Sequence, residues 1–301
     1  YRQPGIRVMR GPPILSDDPS LRDLLLWVER RRIAARRRLT ARRLAPVSRP
    51  AEPESHPTEP ARAAATATDA APGTVLTLDA PTPDLRRFTV AKPPGFSYTP
   101  GQSVRLELEG TRRRYTMVSA PHEPALEFFV ELVPGGRMSA RLRGLRPGAT
   151  IGIAGQPKGG IALDTGAKRH LMLATVTGVN PFVSILRDAV RRGRTDLRVV
   201  LVQGASYADE FGYTEELSAL AAAHPGLLTY IPTVSRPDEP RNAGWRGARG
   251  RADALIEAVI ARHGLAPADT TAYACGNPGM VDTAAARLGG LGYRVRTESY
   301  D

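Results

Sequence analysis

Leu171-Met172-Leu173-Ala174-Thr175-Val176-Thr177-Gly178-Val179-Asn180-Pro181-Phe182 reads as a compact apolar strand, a turn and the start of a helix. The same alternation continues downstream. Apolar strands are predicted over 197–203, 227–234, 271–274 and 293–296, and helices over 182–192, 215–223, 252–262 and 279–288. Strands that alternate with helices predict a Rossmann-like parallel sheet with crossover helices over 165–301, an α/β architecture whose ligands lie at the carboxyl ends of the strands.

Upstream the pattern changes. Short β-rich runs over 75–78, 87–91, 104–109, 115–118, 126–133 and 150–154 are broken by proline and glycine, and their spacing predicts an all-β, six-stranded antiparallel barrel over 74–164. Residues 1–73 follow neither pattern. A helix is expected over 20–44, apolar on one face only at its start and crowded with arginine beyond Arg30, followed by a Pro/Ala-rich linker over 46–73 that buries too little to order itself. That helix fits either docking to an acidic protein or membrane surface, or a solvated, largely disordered leader. Four acids before residue 30 argue against an organelle transit segment.

Composition narrows the classes. The 301 residues carry a net charge of +12, half of it in the first 73 residues, which favours acidic partners. Nucleic-acid binding is disfavoured, because the basic segment lacks interleaved aromatics beyond Trp27. No apolar run approaches the ~20 residues of a membrane helix, and a cytoplasmic location is expected. The single cysteine, Cys275, excludes a disulfide framework and any cysteine-ligated metal centre within the chain, so no metal ligands are expected.

Several short runs carry chemistry. Arg113-Arg114-Tyr115-Thr116 combines a guanidinium for pyrophosphate, an aromatic ring and a hydroxyl, as a bound flavin nucleotide requires. Gly135-Gly136-Arg137-Met138-Ser139 turns into a helix whose first amides and Ser139 hydroxyl suit phosphate oxygens, or simply caps a short helix. Thr177-Gly178 lies where a doubly wound fold presents a helix N-terminus to a dinucleotide. Ser235, Arg236 and Arg251, near a strand end, suit a ribose phosphate, although loop arginines are commonly just solvated. Cys275-Gly276 forms another strand-to-helix turn, and its thiol alone reads equally as a small buried hydrophobe.

In this order the motifs Pro100-Gly101-Gln102, Arg113-x-Tyr115-Thr116, Gly136-x-Met138-Ser139, Thr177-Gly178-Val179-x-Pro181-Phe182, Val234-Ser235-Arg236, Cys275-Gly276-Asn277-Pro278-x-Met280-Val281 and Glu298-x-Tyr300 resemble the ferredoxin/flavodoxin-NADP reductase family, in its bacterial branch, from Gly73 to the C-terminus. The resemblance implies an FAD-binding barrel followed by an NADP-binding domain. Electrons would pass between NADPH and an acidic carrier, ferredoxin or flavodoxin, with hydride transfer to flavin N5. Arg113, Tyr115 and Thr116 would hold FAD, and Gly136, Met138 and Ser139 its phosphates. Thr177, Gly178, Cys275 and Gly276 would receive the nicotinamide half of NADP(H), and Ser235, Arg236 and Arg251 the 2′-phosphate. Thr116, Cys275 and Glu298 would form the catalytic set, with Tyr300 closing the flavin face.

Three positions depart from the family. Val176 stands where glycine is common, Asn180 where alanine or glycine is common, and Ser206 where an arginine often grips the 2′-phosphate. The first two are expected to add bulk near the nicotinamide path. Arg86, Arg87, Lys92, Arg112 and Arg114 are the expected docking cations, if exposed. The alternatives are an NAD(P)H-dependent reductase serving an oxygenase, a globin or free flavin, and a weakly active flavin-bearing subunit tethered by the basic helix.

Overall fold

The computed structural model describes residues 70–300. The helix expected over 20–44, and the linker up to residue 69, lie outside the described residues.

Six strands build the first sheet: β1 (Ala70–Asp79), β2 (Leu85–Ala91), β3 (Ser103–Leu108), β4 (Thr111–Thr116), β5 (Ala125–Glu131) and β6 (Thr150–Lys158). They pair antiparallel in the order β4-β3-β6-β1-β2-β5. One long strand joins the two halves, because β1 pairs with β6 from Ala70 to Thr74 and with β2 from Val75 to Asp79. The opposite edges approach where the Val118 N–H donates to the Glu127 carbonyl at 2.8 Å just past β4. Between β3 and β4 the chain reverses at Glu109-Gly110, both in the left-handed region (φ 45° and 71°), as a tight hairpin with matching twist requires.

Alternation places Phe88, Val90, Leu126 and Phe128 inside, with the Phe88 and Phe128 rings stacked at 5.4 Å. Helix α1 (Arg137–Arg143) follows Gly136 and drives Met138 and Leu142 into the same core. The sequence places the first strand from Val75, whereas it begins at Ala70. Residues 70–73 contribute no large apolar side chain, and their strand character comes from backbone pairing with β6.

The second sheet contains β7 (Arg169–Thr175), β8 (Arg198–Ala205), β9 (Leu228–Val234), β10 (Ala248–Arg249), β11 (Thr270–Gly276) and β12 (Arg294–Ser299), every pair parallel, in the order β10-β9-β8-β7-β11-β12. Helices α2 (Asn180–Arg191), α3 (Thr214–Ala223), α4 (Ile256–His263) and α5 (Pro278–Gly290) make the crossovers. Because β8 lies on one side of β7 and β11 on the other, the strand order reverses at β7, and a crevice opens at the carboxyl ends of β7 and β11. Two-residue β10 was too short to read from sequence. The helix expected over 252–262 is divided into a 3-10 turn (Ala252–Leu255) and α4.

The two halves meet across a buried ionic cluster. Arg187 on α2 reaches Glu127 of β5 at 2.6 Å, Glu216 of α3 at 2.6 Å and Glu123 at 3.5 Å. The Tyr213 hydroxyl donates to the other Glu127 oxygen at 3.0 Å, and its ring meets Phe129 edge-on at 5.6 Å. Asn180 and Ser184, also on α2, donate to the carbonyls of Phe129 (2.8 Å) and Ser119 (2.7 Å). Three polar residues of one helix therefore bind barrel groups.

Candidate active site

Thr116 ends β4, while Cys275 is the penultimate residue of wholly buried β11, and the parallel register sets Cys275 beside Glu298 of β12. The Tyr300 N–H then donates to the Gly276 carbonyl at 3.1 Å, carrying the strand pairing one residue further. These four side chains form one directed chain. The Cys275 thiol donates to Tyr300 Oη (3.2 Å), Tyr300 to Thr116 Oγ1 (3.3 Å), and Thr116 to Glu298 Oε1 (3.3 Å). The other carboxyl oxygen, Oε2, is buried and has no hydrogen-bond partner among the described residues.

Burial governs the protonation of this chain. It raises the Glu298 carboxyl, opposed by the Thr116 hydrogen bond and the Arg114 charge. It also raises the Tyr300 hydroxyl and pushes up the Cys275 thiol. Cys275 is therefore a neutral thiol and not a nucleophile. A carboxyl so placed at the cleft wall can hold a proton.

That cleft has a volume of about 1070 Å³ and runs between the barrel and the carboxyl ends of the parallel sheet. Arg113, Tyr115, Thr116, Gly136, Met138 and Ser139 line it from the barrel, and Thr177, Gly276, Glu298, Tyr300, Ser235 and Arg251 from the sheet. Arg113 is exposed and has no carboxylate partner among the described residues, while burial raises the Tyr115 hydroxyl to about 12. Ser139 Oγ accepts the Val133 N–H at 2.9 Å, which holds the Gly135-Gly136 turn closed beneath the cleft.

The two strand-to-helix turns of the sheet interlock. A Cβ on Gly178 would collide with the Cys275 carbonyl oxygen, and Gly276 has φ 126° against Thr175. The Asn277 N–H donates to Thr175 Oγ1 at 2.8 Å. Val176 is the exception: it holds φ 43°, a conformation a β-branched residue rarely adopts, and packs against the cluster of Ala205, Phe211 and Val234. Asn180 lines the cleft; its amide nitrogen donates to the Phe129 carbonyl across the domain contact, while its Oδ1 is buried with no hydrogen-bond partner among the described residues.

The far end of the cleft is richer in ion pairs than the sequence suggested. Arg236 is not among the cleft-lining residues; it bonds Tyr207 Oη at 2.9 Å and faces Glu239 at 3.5 Å. Arg241 does line the cleft, bound to Asp209 at 2.8 and 3.1 Å. Buried Asn242 ties the loop together, donating to the Ser206 and Arg236 carbonyls and accepting the Ala208 N–H. A lone arginine and asparagine in a Pro/Gly-rich loop carried no signal of this. Of the expected docking cations, Arg86 donates to carbonyls of its own loop, Arg87 binds Asp79 and the Gly212 carbonyl, and Lys92 bonds the Pro121 carbonyl. Arg112 and Arg114 are exposed, the first paired with Glu107 at 2.7 Å.

The residues suit two dinucleotides in tandem. The cleft exceeds the volume of a single small-ligand site and is lined from both domains, and Gly178 and Gly276 let the two strand-to-helix turns at its floor pack directly on each other. Fold and site together define a two-domain oxidoreductase that binds FAD in the barrel and NAD(P) at the parallel sheet. The sequence matches the oxidoreductase FAD-binding domain family over residues 78–162 and the oxidoreductase NAD-binding domain family over 172–286. It is 31% identical over 225 residues to the ferredoxin-NADP reductase of Pseudomonas aeruginosa, covering 70% of this chain and 86% of that protein. It is 34% identical over 198 residues to the flavodoxin/ferredoxin-NADP reductase of Shigella flexneri, covering 62% and 77%. The naphthalene 1,2-dioxygenase reductase component of Pseudomonas putida is 32% identical over 217 residues, and the chain spans 62% of its length. Among solved structures, a ferredoxin NADP+ reductase from Neisseria gonorrhoeae with bound FAD and NADP aligns with a TM-score of 0.67 at 28% identity, covering 77% of this chain and 99% of that one. The chain belongs to the ferredoxin-NADP reductase family.

Proposed function

We propose that the protein moves electrons between NADPH and a ferredoxin-type acidic carrier, ferredoxin or flavodoxin, through FAD held in the barrel. The observation that carries this reading is the directed chain from Cys275 through Tyr300 and Thr116 to Glu298, which joins barrel and sheet at the floor of one cleft. When bound, the flavin supplies two-electron exchange with a nicotinamide and one-electron exchange with the carrier.

The protein groups bind, orient and handle a proton. Arg113 offers a guanidinium with no carboxylate partner among the described residues to a pyrophosphate, Tyr115 an aromatic face, and the Gly136-Met138-Ser139 turn a closed ledge for phosphate oxygens. Thr177 and Gly276 line the nicotinamide end, Gly178 lets their turn pack on the Cys275 carbonyl, and Ser235 and Arg251 stand near the 2′-phosphate end. Thr116 orients Glu298, which holds a proton at Oε2; Cys275 stays neutral and packs beneath. Arg114, exposed at the cleft although it donates to the Ser103 carbonyl at 2.8 Å, and exposed Arg112, paired with Glu107 on the neighbouring strand, suit an acidic carrier, whose association slows as salt rises. No helix among the described residues is long and apolar enough to cross a membrane, and a cytoplasmic location fits this function.

A reductase component of an oxygenase system is the second reading, supported by the similarity to the naphthalene dioxygenase component. The absorption spectrum before and after NADPH tests the core of the proposal: a yellow protein bleached by NADPH is expected. A colourless preparation that takes up no added FAD overturns it. Turnover with purified carriers separates the two acceptor readings.

A further inference from the structure

The cleft's far end lies at the carboxyl ends of β8 and β9, bordered by Ser206, Asp209, Ser235, Arg241 and Arg251. We propose that Arg241, tethered by Asp209, sets the choice between 2′-phosphorylated and unphosphorylated nicotinamide dinucleotides. The inference rests on the reading that a nicotinamide dinucleotide occupies this cleft.

Arg241 meets the Asp209 carboxylate with two parallel bonds, Nη2 to Oδ1 at 2.8 Å and Nε to Oδ2 at 3.1 Å. Its guanidinium also lies 4.1 Å from the centre of the Tyr207 ring. Ring and carboxylate fix both the plane and the direction of the fork. Arg236 lies 5.5 Å from the same ring centre, is held by the Tyr207 hydroxyl and Glu239, and does not line the cleft. It backs the ring, and Arg241 faces the ligand.

The Arg241–Asp209 pair is half exposed, with 41% and 50% of the side chains accessible, so it is an ion pair that exchanges partners readily. A 2′-phosphate is a doubly charged acceptor for the same fork and can take Asp209's place on Arg241. An unphosphorylated ribose can instead donate its 2′-hydroxyl to Asp209 while the pair stays closed. Charge around the site limits the reward for the phosphate: Arg251 is paired with Asp253 at 3.1 Å, and Glu210 lies 3.8 Å from Arg241. Asp209 thus levels a preference for NADPH that Arg241 alone would make strong, and both dinucleotides are used.

The test measures kcat/KM of the FAD-loaded full chain for NADPH and for NADH with ferricyanide as acceptor, at low salt, together with competition by adenosine 2′,5′-bisphosphate. Arg241→Gln should lower the NADPH:NADH ratio about tenfold, and Arg236→Gln less than about threefold. Asp209→Asn should raise the ratio about fivefold and tighten the bisphosphate in proportion. Asp238→Asn, which removes a carboxylate of the same loop that pairs only with Arg249 at 3.5 Å among the described residues, controls for general surface charge. The proposal is overturned if Arg241→Gln moves the ratio no more than Arg236→Gln does, or if Asp209→Asn moves it no more than Asp238→Asn. Should Arg241→Gln lose its flavin through misfolding, the Asp209→Asn ratio and bisphosphate competition decide alone. A wild-type flavin bleached by neither dinucleotide refutes the proposed function itself, and this inference with it.

Discussion

Replacing Arg187 by methionine removes the central cation, the one that hydrogen-bonds the carboxylates, from a cluster of three glutamates while keeping most of the side-chain volume. In the wild type, burial would raise the Glu127 carboxyl, but the Arg187 charge and hydrogen bond, with the Tyr213 hydroxyl, hold it below the usual range. A group shifted this way contributes stability above its unfolded pKa and loses it as pH falls through the folded one. In Arg187→Met the sign reverses. The carboxylates stay buried without their cation, so the folded variant favours their protonated forms and regains stability as pH falls. Removing one partner of a buried pair destabilises by about 3–5 kcal/mol. For a domain of this size that is about 2–4 °C per kcal/mol, hence a fall in Tm of about 6–20 °C near pH 8. The gap should narrow toward about pH 5. Arg187→Lys keeps the charge but not the fork that spans Glu127 and Glu216 at 2.6 Å each, and should lie between. Thermal unfolding followed by flavin release, at several pH values, provides the measurement. A wild-type Tm at pH 8, or a deficit that does not change with pH, would refute the claim that this cluster holds the two halves together.

Thr116→Val removes the hydroxyl between Tyr300 and Glu298 and should slow flavin reduction by NADPH about tenfold with FAD retained; stopped-flow reduction at the wild-type rate would remove Thr116 from the catalytic set. Glu298→Gln cannot hold the proton and should also slow turnover. Because burial raises the Glu298 pKa, the wild type loses stability as pH rises through it, so the Tm advantage of Glu298→Gln should be largest near pH 8 and close toward about pH 5. Val176→Gly relieves a left-handed strain of about 1–2 kcal/mol but adds backbone entropy of about 0.5–1 kcal/mol and loses part of a side-chain contact, so stability should stay within about 1 kcal/mol of wild type. Its NADPH affinity, measured by equilibrium titration, should change instead. A loss of several kcal/mol would show that Val176 is a packing residue first.

Both sheets were legible because each announces itself locally. Apolar runs such as Leu171-Met172-Leu173-Ala174 declare a strand buried on both faces, and the helical stretches between them declare parallel crossovers. Arg113, Tyr115 and Thr116 could be singled out because a guanidinium, a ring and a hydroxyl lie close together in sequence, although they end a strand rather than open the one expected over 115–118. Arg241 and Asn242 could not, since their roles depend on Asp209, Tyr207 and Ser206, some thirty residues away. Arg87 and Lys92 looked like surface cations, and only the fold turns them onto the Gly212 and Pro121 carbonyls.

Local pattern, then, determined the two architectures and their order, because period and turn chemistry act over neighbouring residues, whereas the strand expected over 115–118 is β4 at 111–116 and those expected over 271–274 and 293–296 run on to include Cys275 and Glu298. Tertiary structure alone decided that Thr116, Cys275, Glu298 and Tyr300 share one hydrogen-bonded chain, that Arg187 gathers three glutamates across the domain contact, and that Arg241 rather than Arg236 faces the cleft. Such pairings join residues up to 184 positions apart, and no local signal encodes which distant partner a side chain will meet.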